Sequence, residues 1–338
     1  MLSLSYSKHD LPFTYPFRTA HGLKTTQPTL LVKLGFRDVY GYGEATEIVY
    51  YGVTLDAMIQ KLESGRKVIE NYSLMHPDRF WHFLHHLFPE DHFLVCALDM
   101  AAWDLFAKLR NKQIHELWST PWNNTVPTDY TIGIDEVEVM LKKMQENPWP
   151  IYKVKLGTPK DIDIIQALRA HTDNVIRIDA NAGWNLQEAL QIIPELKKLN
   201  VELVEQPLAK DAWEDMAVLY KESCLPLIAD ESCVVESDVE RCCEVFHGIN
   251  IKLTKCSGLT PALRMIEAAK SKNKKVMMGC MNESMIGTAA IAQFLPQLDY
   301  LDADGPLLHT TELARGLKYK NGCISLGPFK GLGIKVLV

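Results

Sequence analysis

The chain has 338 residues, 47% of them hydrophobic and 23% charged, with a formal net charge of −6. That composition excludes long disorder, and the acidic balance excludes a dominant electrostatic grip on nucleic acid. The length fits two ordinary domains, or one barrel of about 250 residues plus a smaller unit.

No apolar run reaches the roughly 20 residues of a bilayer span, so no membrane is expected as a partner. The opening residues, MLSLSYSKHD, have no basic segment followed by an apolar one, so a secretory leader is not expected. Eight cysteines, at 96, 224, 233, 242, 243, 256, 280 and 323, show neither C-x-x-C nor zinc spacing. They read as small hydrophobes in a reducing cytoplasm.

Residues 29–34 and 39–44 alternate as strands, joined by a hairpin turn over 35–38. Leu94, Ala97, Leu98, Ala101, Ala102, Leu105 and Leu109 then recur at helical spacing. Residues 1–120 therefore read as an α+β unit. Over 121–320 the pattern becomes periodic. Strand-like segments fall at 130–134, 152–156, 175–179, 201–205, 227–230, 249–253, 276–278 and 300–302, beginning 22–27 residues apart. Most gaps hold an amphipathic helix, such as 186–199 or 261–269. The expected fold is α/β: a (β/α)8-type, modified TIM barrel with an N-terminal α+β capping domain. A doubly wound sheet is the alternative. It would carry a Gly-rich first crossover, and the glycine pairs at 41–43 and 331–333 lack a third glycine and open no helix. Residues 321–338 return to a strand pattern at 334–338, expected to rejoin the capping domain.

Charges at the ends of apolar barrel strands are costly to bury without a partner, and those ends form the active face of a barrel. Asp179, Glu205 and Asp230 end three consecutive strands. Three carboxylates in one place repel, and a divalent cation removes the conflict; hard oxygen donors suit Mg²⁺ or Mn²⁺. Asn181 and Gln206 follow as neutral hydrogen bonders. Lys153 and Lys155 lie two apart and share a face. Two such ammonium groups depress each other's pKa toward that of a base near neutrality. Lys255 follows the sixth strand, four strands away across the barrel. Alternation alone does not choose between it and Lys252, which shares a face with Asn250.

These residues resemble the motifs of the enolase superfamily, in its muconate-lactonising-enzyme subgroup, with dipeptide epimerases of the L-Ala-D/L-Glu type as the nearest match. Lys153-Val154-Lys155-Leu156-Gly157 resembles the K-x-K base motif. Asp179-Ala180-Asn181, Glu205-Gln206-Pro207 and Asp230-Glu231-Ser232 resemble the three metal-ligand motifs. Asn250-Ile251-Lys252-Leu253-Thr254-Lys255 resembles the sixth-strand lysine motif. Pro16-Phe17-Arg18-Thr19-Ala20 and Gly43-Glu44-Ala45 resemble capping segments. The resemblance implies Lys155 and Lys255 as the two bases, Lys153 as an electrostatic helper, and a metal held by Asp179, Glu205 and Asp230. It implies that Asp302 and Asp304 take a substrate ammonium group, with Thr131, Cys280 and Met281 beside the substrate. The implied reaction is a 1,1-proton transfer through an enediolate, which inverts the C-terminal Cα of a dipeptide from peptidoglycan turnover. Mg²⁺ is the implied cofactor, with Mn²⁺ as a substitute and no organic cofactor. The implied partner is a small dipeptide, and a homo-oligomer is left open.

Side-chain specificity is expected from capping loops near 18–27 and 46–54. Gly22 stands where some Glu-specific relatives carry an arginine, with Arg18, His21 and Lys24 as nearby cations. Tyr50 and Tyr51 are candidates to line a pocket. Broader Ala-X or hydrophobic dipeptides are the runner-up substrates. A superfamily cycloisomerase or dehydratase, a Schiff-base aldolase and a non-catalytic binding protein are the rival readings.

Overall fold

The computed structural model describes residues 1–19, 22–118, 120–123 and 125–338. Ala20 and His21, both in the expected specificity loop, lie outside the described residues. Strands β1 (Ser3–Thr19), β2 (Gly22–Phe36) and β3 (Val39–Thr46) form an antiparallel sheet in that order. The expected strands at 29–34 and 39–44 are parts of β2 and β3, and β1 is an addition. It serves two cores: Leu4 at its start, with Leu2 just before it, packs into the capping core, while Leu11 and Phe13 pack into the barrel core. The register with β2 shifts between Pro12 and Phe17.

Helices α1 (Leu55–Glu70), α2 (Pro77–Leu87) and α3 (His92–Leu109) complete the cap. β3 lets α3 approach closely because it carries glycine at 41 and 43. A Cβ at Gly43 would collide with the Ala97 carbonyl oxygen. α3 is sandwiched. Ala97, Leu98 and Ala101 face the capping core, while Cys96, Met100 and Trp103 face the barrel. Leu109, expected on the buried face, ends the helix 43% exposed.

The barrel strands are β4 (Tyr130–Ile132), β5 (Ile151–Lys155), β6 (Val175–Asp179), β7 (Val201–Glu205), β8 (Leu227–Ala229), β9 (Gly248–Lys252), β10 (Lys275–Gly279) and β11 (Tyr300–Leu301). They pair in parallel in sequence order. A bridge between Thr128 and Leu301 joins the last strand to the lead-in of the first, and the Asp129 N–H donates to the Leu301 carbonyl at 3.2 Å. A sheet that closes on itself without reversing its order is a barrel, and the doubly wound alternative falls.

The first seven strands are followed by helices: α4 (Val137–Glu146), α5 (Asp161–Arg169), α6 (Leu186–Lys198), α7 (Trp213–Glu222), α8 (Asp238–Val245), then the one-turn α9 (Leu253–Cys256) with α10 (Leu259–Ser271), and α11 (Met285–Ala292). The eighth strand has a one-turn α12 (Gly305–Leu308), so the last unit lacks a full outer helix. The expected tail strand is shorter than 334–338. Lys335–Val336 pairs with Ala314–Arg315, not with the capping sheet. The chain does touch the cap just before it, where Leu332 N donates to Asp104 Oδ1 at 2.9 Å and Gln113 Nε2 donates to the Gly327 carbonyl at 2.7 Å. Among the described residues, no helix is long and apolar enough to cross a membrane.

Asp99 of α3 ties cap to barrel. Fully buried, it accepts hydrogen bonds from Thr260 N at 3.0 Å and Thr260 Oγ1 at 2.7 Å, at the start of α10. Burial pushes its carboxyl up to about 7. Between about pH 4 and that value the folded chain holds a proton the unfolded chain has released, so stability from this group falls as pH rises. Asp99→Asn cannot ionise. Its melting temperature is expected below wild type at pH 5, with the gap closing by about 5 °C at pH 8. Thermal denaturation of both proteins across that range checks this, and a gap that widens with pH overturns it.

Candidate active site

A cavity of about 500 Å³ lies between the strand ends and the capping unit. The cap contributes Phe17, Leu23, Lys24, Tyr50 and Tyr51. The barrel contributes Thr131, Lys155, Asp230, Lys252, Cys280, Met281, Asp302 and Asp304. Strand register explains the convergence. Lys155 pairs with Asp179, and Asp179 pairs with Glu205, so three charged groups stand side by side at one level. Asp179, Glu205 and Asp230 each bring an oxygen within 4.8 Å of the other two, and each is at most 1% exposed.

The charges neutralise one another. Lys153 is fully enclosed below the cavity. Its Nζ lies 2.7 Å from Glu205 Oε2, 2.8 Å from Asp302 Oδ2 and 3.2 Å from Asp179 Oδ2. Lys155 Nζ donates to Asp179 Oδ2 at 2.5 Å, and Lys252 Nζ donates to Asp230 Oδ2 at 2.8 Å. Neutral groups fix the carboxylates and their backbone further. Asn250 Nδ2 donates to Glu205 Oε1 at 2.8 Å, Asn181 N donates to Asp179 Oδ1 at 3.0 Å, and Gln206 Oε1 accepts from Asp230 N at 2.9 Å.

These partners set the ionisation. Burial would raise Asp179, but Lys155 and Lys153 hold its carboxyl down at about 2. Burial and the Asp179 charge push Glu205 up to about 7. Burial alone would hold Lys153 and Lys252 below the ordinary lysine value. The facing carboxylates outweigh it and raise both well above that value: Asp302, Glu205 and Asp179 at Lys153, and Asp230 and Glu205 at Lys252. The expected mutual depression of Lys153 by its lysine neighbour is therefore overturned, because carboxylates surround the ammonium group more closely than other cations do.

Lys255 also departs from expectation. β9 ends at Lys252, and the chain turns at once into α9. Strand alternation stops there, and Lys255 points behind the site. Its Nζ, 1% exposed, donates to the Asp230 carbonyl at 2.5 Å, Asp230 Oδ1 at 2.6 Å and the Cys233 carbonyl at 2.9 Å. All three ammonium hydrogens are used. Lys255 borders a separate hollow of about 200 Å³ with His92 and Val234, and Tyr51 borders both spaces. The lysine that faces the main cavity across from Lys155 is Lys252. The pairing of Lys252 with Gly279 one strand over leaves it room, since glycine presents no side chain there.

At the other end, Asp304 Oδ2 accepts from Thr131 N at 2.6 Å, and Cys280 Sγ lies 3.8 Å from Asp304 Oδ1. Among the described residues, Asp302 Oδ1 is buried without a hydrogen-bond partner. Glu231 and Asn181, passed over as cavity residues in the sequence, line the wall beside Asp230, where Asn181 Nδ2 donates to Glu231 Oε1 at 3.3 Å. Their place within the metal motifs, Glu231 one residue after Asp230 and Asn181 two after Asp179, was the available signal.

Residues 135–337 match the family model described as enolase C-terminal domain-like. The chain belongs to the enolase superfamily. A relative from Flavobacterium johnsoniae, named L-Ala-D/L-amino acid epimerase, is 46% identical over 336 residues, covering 99% of this chain and 100% of its own length. The Bacillus subtilis L-Ala-D/L-Glu epimerase, solved as a substrate-liganded complex, superposes with a TM-score of 0.93 at 26% identity, with 99% of each chain covered. A dipeptide epimerase from Enterococcus faecalis, solved with Mg and the dipeptide L-Leu-L-Tyr, superposes with a TM-score of 0.92 at 26% identity, covering 98% of this chain and 99% of its own. This superfamily member is an isomerase of the epimerase type.

The carboxylate group fits a divalent cation on its own terms: three buried hard-oxygen donors that repel without positive charge. Lys255 fixes Asp230 from behind, whereas Lys252 competes with a cation for Asp230 Oδ2. Titration calorimetry with Mg²⁺ is expected to show about tenfold weaker binding in Lys255→Met, and no weakening in Lys252→Met. Unaltered binding in Lys255→Met removes its positioning role.

Proposed function

We propose that this protein is a Mg²⁺-dependent dipeptide epimerase that inverts the Cα of the C-terminal residue by two-base 1,1-proton transfer. The observation that carries the reading is the pair of cavity-lining ammonium groups on opposite sides of the barrel. Lys155 ends the second barrel strand and Lys252 the sixth, four strands apart in a closed ring of eight. Asp179 and Glu205 end the next two strands, and Asp230 follows the third, all between the two lysines. A carbon held over those carboxylates has one lysine on each face.

Asp179, Glu205 and Asp230 would hold the cation, which when bound supplies the charge that offsets a substrate carboxylate and the negative charge of an enediolate. Lys155 takes or returns the Cα proton on one face and Lys252 on the other. Family resemblance assigns Lys155 to the (R) epimer and Lys255 to the (S) epimer; with Lys255 turned behind the site, the (S) epimer falls to Lys252. Lys153, held by three carboxylates, contributes fixed positive charge. Asp302 and Asp304 receive the dipeptide's ammonium group, and the unpartnered Asp302 Oδ1 is the acceptor available for it. Thr131 holds Asp304 in place, and Cys280 and Met281 wall that end.

Lys24 favours an acidic side chain on the C-terminal residue. Its ammonium lines the cavity, donates to Gln27 Oε1 at 3.1 Å, and has no ion-pair partner among the described residues; burial lowers its pKa. An L-Ala-D/L-Glu dipeptide from murein turnover in the cytoplasm supplies the missing carboxylate. A second reading, broader L-Ala-X dipeptides, is favoured by the apolar lining from Leu23, Ile48, Val49 and Met281, and agrees with the naming of the 46% identical relatives.

Proton NMR in D₂O with Mg²⁺ and a dipeptide set that includes L-Ala-L-Glu tests the reading. Loss of the C-terminal α-proton signal with growth of the diastereomer is expected, along with about a thousandfold loss of epimerisation in Lys155→Met and in Lys252→Met. Each variant should keep exchange for one epimer. No exchange with any dipeptide, with Mg²⁺ binding intact, sinks the reading. Lys24→Met is expected to raise KM about tenfold or more for L-Ala-L-Glu and little for L-Ala-L-Leu. Equal effects on the two assign Lys24 no part in side-chain choice.

A further inference from the structure

The cap reaches into the barrel at one fully buried carboxylate. Glu44 of β3 is 0% exposed. Its Oε1 accepts from Ser284 N at 2.9 Å and from Thr29 Oγ1 at 2.9 Å. Its Oε2 accepts from Ser284 Oγ at 2.6 Å and from Gly287 N at 2.9 Å. Two of these donors are free backbone N–H groups at the start of α11, where a negative charge is favoured. The segment that Glu44 grips is the one that leads out of β10. Cys280, Met281 and Asn282, immediately before it, line the cavity.

That segment is held on its other side as well. A Cβ at Gly305, next to Asp304, would collide with the Glu283 carbonyl oxygen. Glu283 turns inward, and its Oε2 accepts from Met281 N at 2.5 Å. Asn282 takes the left-handed backbone conformation, φ 58, at the bend between them. The wall is thus held between a carboxylate of the cap and the corner after the last strand.

We propose that Glu44 is a positioning residue: by holding the start of α11 it sets the place of the Cys280–Met281–Asn282 wall, and so the fit of the substrate beside Asp304. The cap then does more than supply loops to the cavity, because it also fixes a wall that belongs to the barrel. This inference rests on the epimerase reading for its kinetic test alone. Glu44 touches neither lysine nor metal-motif carboxylate, so its loss acts on binding rather than on proton transfer.

Glu44→Gln keeps the shape but offers N–H where two donors need an acceptor. It is expected to raise KM for the preferred dipeptide about tenfold, with kcat within about threefold of wild type, and to leave Mg²⁺ affinity unchanged. Ser284→Ala, which removes one bond and retains the fold more safely, is expected to raise KM about threefold. Hydrogen-exchange mass spectrometry on the full chain should show faster exchange at residues 284–287 in Glu44→Gln. A fall in melting temperature with KM unchanged makes Glu44 structural only and overturns the proposal, as does unaltered exchange at 284–287. If wild type turns over no dipeptide, the epimerase reading has failed; the exchange experiment still decides whether Glu44 holds the wall.

Discussion

Carboxylates and ammonium groups buried together at the barrel mouth form the constraint on which the rest of the structure turns. An isolated buried charge costs several kcal/mol, and Asp179, Glu205, Asp230 and Asp302 are each held by a lysine. Lys153 is the hub, because it touches Asp179, Glu205 and Asp302 at once and so joins one side of the barrel to the other. The arrangement demands an exact strand register. A slip of β5 by one residue would turn Lys153 and Lys155 out of the site together and leave Asp179 and Glu205 facing each other without a cation. Closure of the barrel at Thr128 and Leu301 is the second half of the same demand, since it brings Asp302 back to Lys153.

Much of this was legible in the sequence where a period or an ending carried it. The barrel strands announced themselves by β-branched runs at regular spacing, and the carboxylates by standing at the ends of three such runs. The two lysines of β5 were legible because alternation within one strand fixes their common face. Lys252 and Lys255 were not separable, because the chain changes from strand to helix at Leu253 and the period of two stops meaning anything beyond that point. The rise in pKa at Lys153 was hidden for a different reason. It depends on how many carboxylates surround one ammonium group, and those come from strands far apart in sequence. β1 was missed although its first residues alternate, since its inward side chains serve two cores and show no single pattern.

The site divides by origin. The charged groups come from the barrel strand ends, held by register and by Asn250, Gln206 and Lys255 behind them. Phe17, Leu23, Lys24, Tyr50 and Tyr51 come from the facing ends of the first two capping strands and the segment after the sheet. The two sets meet across the cavity, and Asp99 and Glu44 bind the units that carry them. The cavity is therefore lined from two separate stretches of chain.

Tyr51 stands between the main cavity and the smaller hollow that Lys255 borders. A ring, unlike a stretch of backbone, can be removed by a single codon change without moving any charged residue. The boundary of each space thus includes one replaceable ring. A chain of this kind can alter the bounds of its chamber in one evolutionary step while the charged residues at the strand ends stay where they are.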